Sequence, residues 1–333
     1  MVSTLDPHQY TLRKQVSCQG VGLHSGKTVN LTISPAPANS GIRFFRTDTG
    51  DNEFLPARMD QVVDTRLATT IGNDRIRIAT TEHLLAALLG TGIDNADIRL
   101  DSPEVPIMDG SAGPFVNLLK QSGRKRQSAL RKVLRITETI SYTDGDKSIS
   151  IKPYHGFKIT GRINFNNELI SEQEYSVEVT PERFINEIAQ ARTFGFVEQV
   201  EELWSQGLAL GGTLDNTIAI HWDRRGVLNE DGLRYSDEFV RHKVLDLIGD
   251  LALLGCPLLG HVVANRAGHD VHLGLMREIA KHPECWEQVE FRRNGKISLH
   301  KVTSATKTAT SSILPFLLPQ AQGTSLNSPS FAV

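Results

Sequence analysis

The chain has 333 residues, long for one hydrophobic core, so two domains are expected. Its 36 Lys and Arg balance 38 Asp and Glu, which supplies no basic field for nucleic acid or an anionic membrane and points to a small-molecule partner. Three cysteines, Cys18, Cys256 and Cys285, are too few for a disulfide framework or a Cys-based zinc site. No apolar run approaches the roughly 18 residues of a membrane span and the N-terminus has no apolar core of a signal peptide, so a soluble, cytoplasmic protein is expected, with a monomer as the default.

In chain order, the first part alternates short β-like runs, KTVNLTISP and GIRFFRTD, with turns. Between the first strands lies GVGLHSGKT, residues 20–28, which looks like a phosphate-binding loop. That motif would need glycine at position 21, where this chain has Val21, so a glycine-rich turn between strands is the better reading. TTEHLLAALLGTG then reads as a helix: Thr80 or Thr81 can cap it, Leu84, Leu85, Leu88 and Leu89 form its apolar side, and Gly90 ends it. Glu82 and His83 fall in its first turn, where the helix dipole favours a carboxylate and a neutral imidazole; a capping Glu beside a surface His would look the same. NADIRLDSPEVPIMDGSAGPFVNLLKQSG adds a strand, a loop and a short helix, closing a first domain at residues 1–122.

Residues 123–132, polar and basic without periodic apolar positions, read as a linker. A second domain, 133–302, starts again with strands (KVLRITETISYT, SISIKPY, FKITGRINF) and continues to a helix, TPERFINEIAQAR. The patterning is α+β or α/β, and the repeated order suggests a duplicated architecture. ARTFGF places Thr193 just after that helix. EFVRHKVLDLIGDLALLG is a further helix, with Val240, Val244, Leu247, Leu251 and Leu254 at helical spacing. His242, Asp246 and Asp250 recur every fourth residue opposite that stripe, flanked by Phe239, Gly249 and Leu253, so the polar row is expected to be buried and to need partners. The spacing alone also fits a helix-stabilising pair. GHVVANRAGHDVH reads as a strand with His269 at its end, opening a loop. His8, His155, His221, His282 and His300 have no neighbours suggesting a role. From about residue 303 the Ser-, Thr- and Pro-rich tail is expected to be disordered, with ILPFLL docking on the protein.

GVGLHSGK, TTEHLLAALLGTGIDNADIRLDSPEVPIMDGSAGPFV, ARTFGF, GLALGG, VLNEDGLRYSDEFVRHKVLDLIGDLALLG and AGHDVH together resemble, in order and composition, the UDP-3-O-acyl-N-acetylglucosamine deacetylases, zinc amidases of lipid A biosynthesis. The resemblance covers roughly residues 7 to 300. It implies an α+β fold of two similar domains, each a two-layer sandwich of helices on a sheet, with the active site at the domain interface. It implies that His83, His242 and Asp246 hold Zn²⁺, with Fe²⁺ suited to the same donors, and leave one position open. Glu82 would be the general base, Thr193 a donor to the oxyanion, His269 the acid that protonates the leaving amine, and Asp250 the carboxylate orienting His269. Lys243 would meet the charge of the acylated UDP-sugar, and Leu23, Phe194, Val200, Ala209 and Gly212 would line the passage for its acyl chain. Ala68, Asn216 and Thr217 depart from the family's usual residues, which bears on acyl length. The rival reading is a non-catalytic sugar-nucleotide-binding protein whose metal is structural, with four protein ligands.

Overall fold

The computed structural model describes residues 6–50, 53–165, 168–294 and 296–301. Its fold is α+β: two mixed sheets with helices packed on and between them. The first sheet runs in the order Val16–Val21, Thr28–Pro35, Ala96–Leu100, Ile42–Arg46, Phe54–Pro56. Thr28–Pro35 shows why: Val29, Leu31 and Ile33 are fully buried while Thr28 and Asn30 next to them face solvent, the period-two alternation of a half-covered sheet. The glycine-rich stretch is the turn joining the first two of these strands, which pair antiparallel, so no helix follows it as a phosphate-binding loop would require.

The second sheet is built around Leu258–Asn265, which pairs antiparallel with Lys147–Lys152 and parallel with Phe157–Asn164 and Lys132–Ile136. On it lies the helix Glu238–Leu251, so close that a Cβ at Gly161 of the sheet would sit 2.8 Å from Val244 Cγ2. The opposite side of the same helix meets Glu82–Thr91 of the first half. The helix is therefore covered all round, and Leu84, Leu85 and Leu88 share one core with Val244, Leu247 and Ile248. The polar row has nowhere to go but the seam between these two helices: His242, Asp246 and Asp250 are only 1–2% exposed.

Gly249 sets how tight that seam is. A Cβ there would lie 2.0 Å from the carbonyl oxygen of Glu82, which only glycine avoids. Gly249→Ala is expected to push the helices apart, at a cost of about 1–3 kcal/mol, and to lower activity by displacing Glu82 and His83. Thermal melting beside a turnover assay checks this; an unchanged Tm and rate would show that the contact is slack.

Several expectations need correction. Residues 123–132 are not a bare linker: Arg124–Leu130 is a strand paired antiparallel with His8–Leu12, a two-stranded ribbon that needs little apolar alternation. The first helix ends not at Gly90 but at Thr91, with Gly92 in the left-handed region (φ 75°) as its C-cap. Gly90 instead lies under the Phe184 ring, which a Cβ would strike at 2.3 Å. KVLRITETISYT forms two strands, Lys132–Ile136 and Ile140–Asp144. TPERFINEIAQAR begins as a single α-turn, Pro181–Arg183, with the Thr180 hydroxyl accepting from the Arg183 N–H, and widens into a π-turn at Phe184–Ile188. His269 does not open a loop; it is the first residue of the helix His269–Lys281. The tail beyond residue 302, with its ILPFLL run, lies outside the described residues. Among the described residues no helix is long and apolar enough to cross a membrane.

Candidate active site

Glu82 and His83 are aimed by the irregular chain just ahead of their helix. Thr80 takes a left-handed conformation (φ 57°), and its hydroxyl donates to the buried Glu104 carboxylate at 2.9 Å. Thr81 occupies the N-cap position but does not cap with its side chain, which donates instead to the Thr69 carbonyl at 3.1 Å. The Thr69 N–H in turn donates to Glu82 Oε2 at 3.0 Å, fixing one carboxylate oxygen. Burial raises the Glu82 pKa, and the neighbouring imidazoles of His269 and His83 offset only part of that rise.

Across the seam, His83, His242 and Asp246 bring one nitrogen or oxygen each within 4.8 Å of one another. His83 Nε2 is 3.5 Å and His242 Nε2 3.3 Å from the same oxygen, Asp246 Oδ1. That oxygen is buried and makes no hydrogen bond among the described residues. Two ligands about 2.0–2.1 Å from a tetrahedral metal stand about 3.3 Å apart, so this unsatisfied oxygen between two imidazole nitrogens has the spacing of a metal site. His242 Nδ1 donates to the Ala191 carbonyl at 3.0 Å, which leaves Nε2 with its lone pair toward the cluster. Burial pushes the His242 pKa down to about 3, keeping it unprotonated. Burial works against the Asp246 charge too, but His242 and the Lys243 ammonium, which donates to Oδ2 at 2.7 Å, hold that carboxyl well below its ordinary value. Two imidazoles and a carboxylate fit a divalent metal with three protein ligands.

One helical turn on, Asp250 is the acceptor for a second cluster. His269 Nδ1 lies 2.7 Å from Asp250 Oδ2, and the Thr69 hydroxyl donates to Oδ1 at 2.6 Å. Burial alone would lower the His269 pKa, but the charge and hydrogen bond of Asp250, helped by Glu82, override it and hold the imidazole at about 9. Asp250 is correspondingly depressed, its burial outweighed by His269 and His272. The two clusters thus present an unprotonated His242 and a protonated His269 to the same space.

That space is a cleft of about 710 Å³. Glu82, His83, His242, Asp246 and His269 line it together with Thr193 and Lys243. Leu23, Phe194, Val200, Ala209 and Gly212 line it as well, with Phe165, Leu203 and Trp204 as further apolar wall. Asp250 stands behind His269 rather than in the wall. Ala68 and Thr217 face the cleft, whereas Asn216 is buried beside it and braces its loop, donating to the Gly211 carbonyl and accepting from the Thr213 N–H, both at 2.9 Å. Three participants escaped the sequence reading. His24, on the glycine-rich turn, lines the cleft with a buried Nε2 that has no partner among the described residues. Thr69 ties Glu82 to Asp250. His272 shares Asp250 with His269, and its spacing of three from His269 was the signal available.

The family model described as UDP-3-O-acyl N-acetylglycosamine deacetylase matches residues 9–281. Among curated proteins, the UDP-3-O-acyl-N-acetylglucosamine deacetylase of Myxococcus xanthus (strain DK1622) is 48% identical over 286 residues, 86% of this chain and 90% of the relative. The protein of the same name from Acidithiobacillus ferrooxidans (strain ATCC 53993 / BNL-5-31) is 48% identical over 285 residues, 85% and 93% of the two chains. That of Oleidesulfovibrio alaskensis (strain ATCC BAA-1058 / DSM 17464 / G20) is 50% identical over 280 residues, 84% and 91%.

Proposed function

Since the chain belongs to the UDP-3-O-acyl-N-acetylglucosamine deacetylase family, we propose that its cleft hydrolyses the N-acetyl group of a UDP-3-O-(3-hydroxyacyl)-N-acetylglucosamine to the free amine and acetate, a step of lipid A biosynthesis. The family is one of metalloenzymes, and His83, His242 and Asp246 would hold the metal here, which we take to be zinc, with iron(II) suited to the same donors. When bound, the metal supplies Lewis acidity toward water and the acetamide carbonyl.

The chain's own groups supply the rest. Glu82, with one oxygen held by Thr69, takes the proton of the attacking water through the other. The Thr193 hydroxyl donates to the carbonyl oxygen as it gains charge. His269, protonated and in the cleft wall, gives its proton to the departing nitrogen, and Asp250 orients it. Lys243 lies where a diphosphate oxygen could share it with Asp246. The observation that carries this reading is the unpaired, buried Asp246 Oδ1 between two imidazoles, with a base and a protonated acid facing the same space. A structural metal would have four protein ligands, whereas three are at hand among the described residues.

We take the protein to work as a monomer in the cytoplasm; the mass in solution with substrate bound tests the former. The acyl chain is assigned to the apolar wall of the cleft. Gly212 faces Leu23, 3.7 Å from where a Cβ would stand. Gly212→Leu is therefore expected to narrow the passage and to cut kcat/KM for the longest acyl chain accepted by roughly tenfold or more relative to a short one. A chain-length series read on both proteins checks this. An unchanged preference would place the chain elsewhere, and equal turnover of UDP-N-acetylglucosamine without any acyl group would overturn the assignment of substrate.

A further inference from the structure

His272 has no part in the chemistry just described, yet it is 1% exposed and tied to that chemistry through a single oxygen. His269 and His272 stand three residues apart on one helix, and both direct Nδ1 to Asp250 Oδ2 at 2.7 Å. Thr69 donates to the other oxygen at 2.6 Å. A carboxylate gripped at both oxygens from two elements cannot turn about its Cβ–Cγ bond without breaking a hydrogen bond. Without His272, one of those restraints is gone. Thr69 Oγ1, 3.2 Å from His269 Nδ1, lies close enough to compete for that imidazole with an Asp250 carboxylate held less firmly. The groups acting on His272 are Asp250, His269 and Lys243. Being outside the cleft wall, it cannot meet substrate.

We propose that His272 is a positioning residue, which fixes the Asp250 carboxylate in the orientation that aims the His269 imidazole at the leaving nitrogen. This rests on the deacetylase reading for its kinetic consequence, but not for its structural one. The role needs one N–H at the place of Nδ1 and nothing more of the ring. The Asn side chain can put its amide N–H there, because Nδ2 is as far along the chain as Nδ1; the longer Gln side chain carries its amide at the position of Nε2 and cannot.

The test compares His272→Asn, His272→Gln and His272→Leu in the full chain with one equivalent of zinc, read by kcat, KM, Tm and the downfield imidazole N–H proton resonances. His272→Gln and His272→Leu are expected to lower kcat roughly tenfold or more with KM little changed, and His272→Asn to recover most of it. In step with this, the His269 N–H resonance should move in the Gln and Leu proteins and stay in place in the Asn protein. If Leu does not fold, the Asn and Gln pair carries the comparison. Equal kcat in Asn and Gln at equal Tm would overturn the proposal, as would a His269 resonance that no substitution moves. The resonance test stands even if the wild-type protein releases no amine, an outcome that would sink the deacetylase reading instead.

Discussion

Glu82→Gln is expected to lower kcat by about 10²- to 10⁴-fold, roughly 3–5 kcal/mol on the barrier, while the protein keeps its fold and its metal. Glutamine has nearly the shape of glutamate, and its carbonyl oxygen can still accept the Thr69 N–H that now bonds Oε2. What it loses is the ability to take a proton. His83 and His242 and Asp246 are untouched, so one equivalent of metal should still bind, and KM should change little because Glu82 meets the water rather than the acyl chain or nucleotide. Metal analysis of the variant beside its turnover separates the roles. A variant that loses its metal would make Glu82 a support for the ligands, and one that retains more than a tenth of wild-type kcat would remove it as the base.

Asp250→Asn should act on the other side of the reaction and show itself as a change in pH profile. In the proposed role His269 works in its protonated form, so activity is expected to fall as pH rises through its pKa, placed by its surroundings at about 9. Asparagine removes the charge that outweighs burial, and the imidazole should drop toward or below its ordinary value of about 6.5. The alkaline limb of kcat/KM therefore moves to lower pH by about two units or more, and at pH 8 the rate falls by about 10- to 30-fold. Substitution of a merely structural carboxylate would lower the rate evenly across pH. A limb that stays near 9 in the Asn variant would mean that another group sets it.

How much of this could be read beforehand follows the range of the interactions. The row His242, Asp246, Asp250 was legible because its partners in meaning lie four residues apart on one helix, and the apolar residues on both sides showed that it could not face water. Glu82 and His83 were marked by their place in a first turn and by the surrounding blocks of family resemblance. Thr69 was not legible: it bonds Asp250, 181 residues away, and His269, 200 residues away, and nothing local distinguishes it from the other threonines. The helix at 269–281 was missed for a different reason. Its apolar positions Val271, Leu275, Met276 and Ile279 keep helical spacing, but the pattern starts at the His itself, only three residues after a strand, so the strand's run of apolar residues hides its onset. The ribbon at 124–130 has almost no apolar residue turned inward, and strands of that kind leave no period to detect.

The most direct test of the whole account is release of free amine from a UDP-3-O-acyl-N-acetylglucosamine by protein stripped of metal and then titrated with Zn²⁺. The proposed arrangement of three ligands, one base and one acid predicts no release without metal and activity that climbs with zinc to a plateau at one equivalent per chain. Zinc that binds at one equivalent with no amine released at any acyl length would contradict it, leaving a metal-clamped binding protein as the reading that the same residues support.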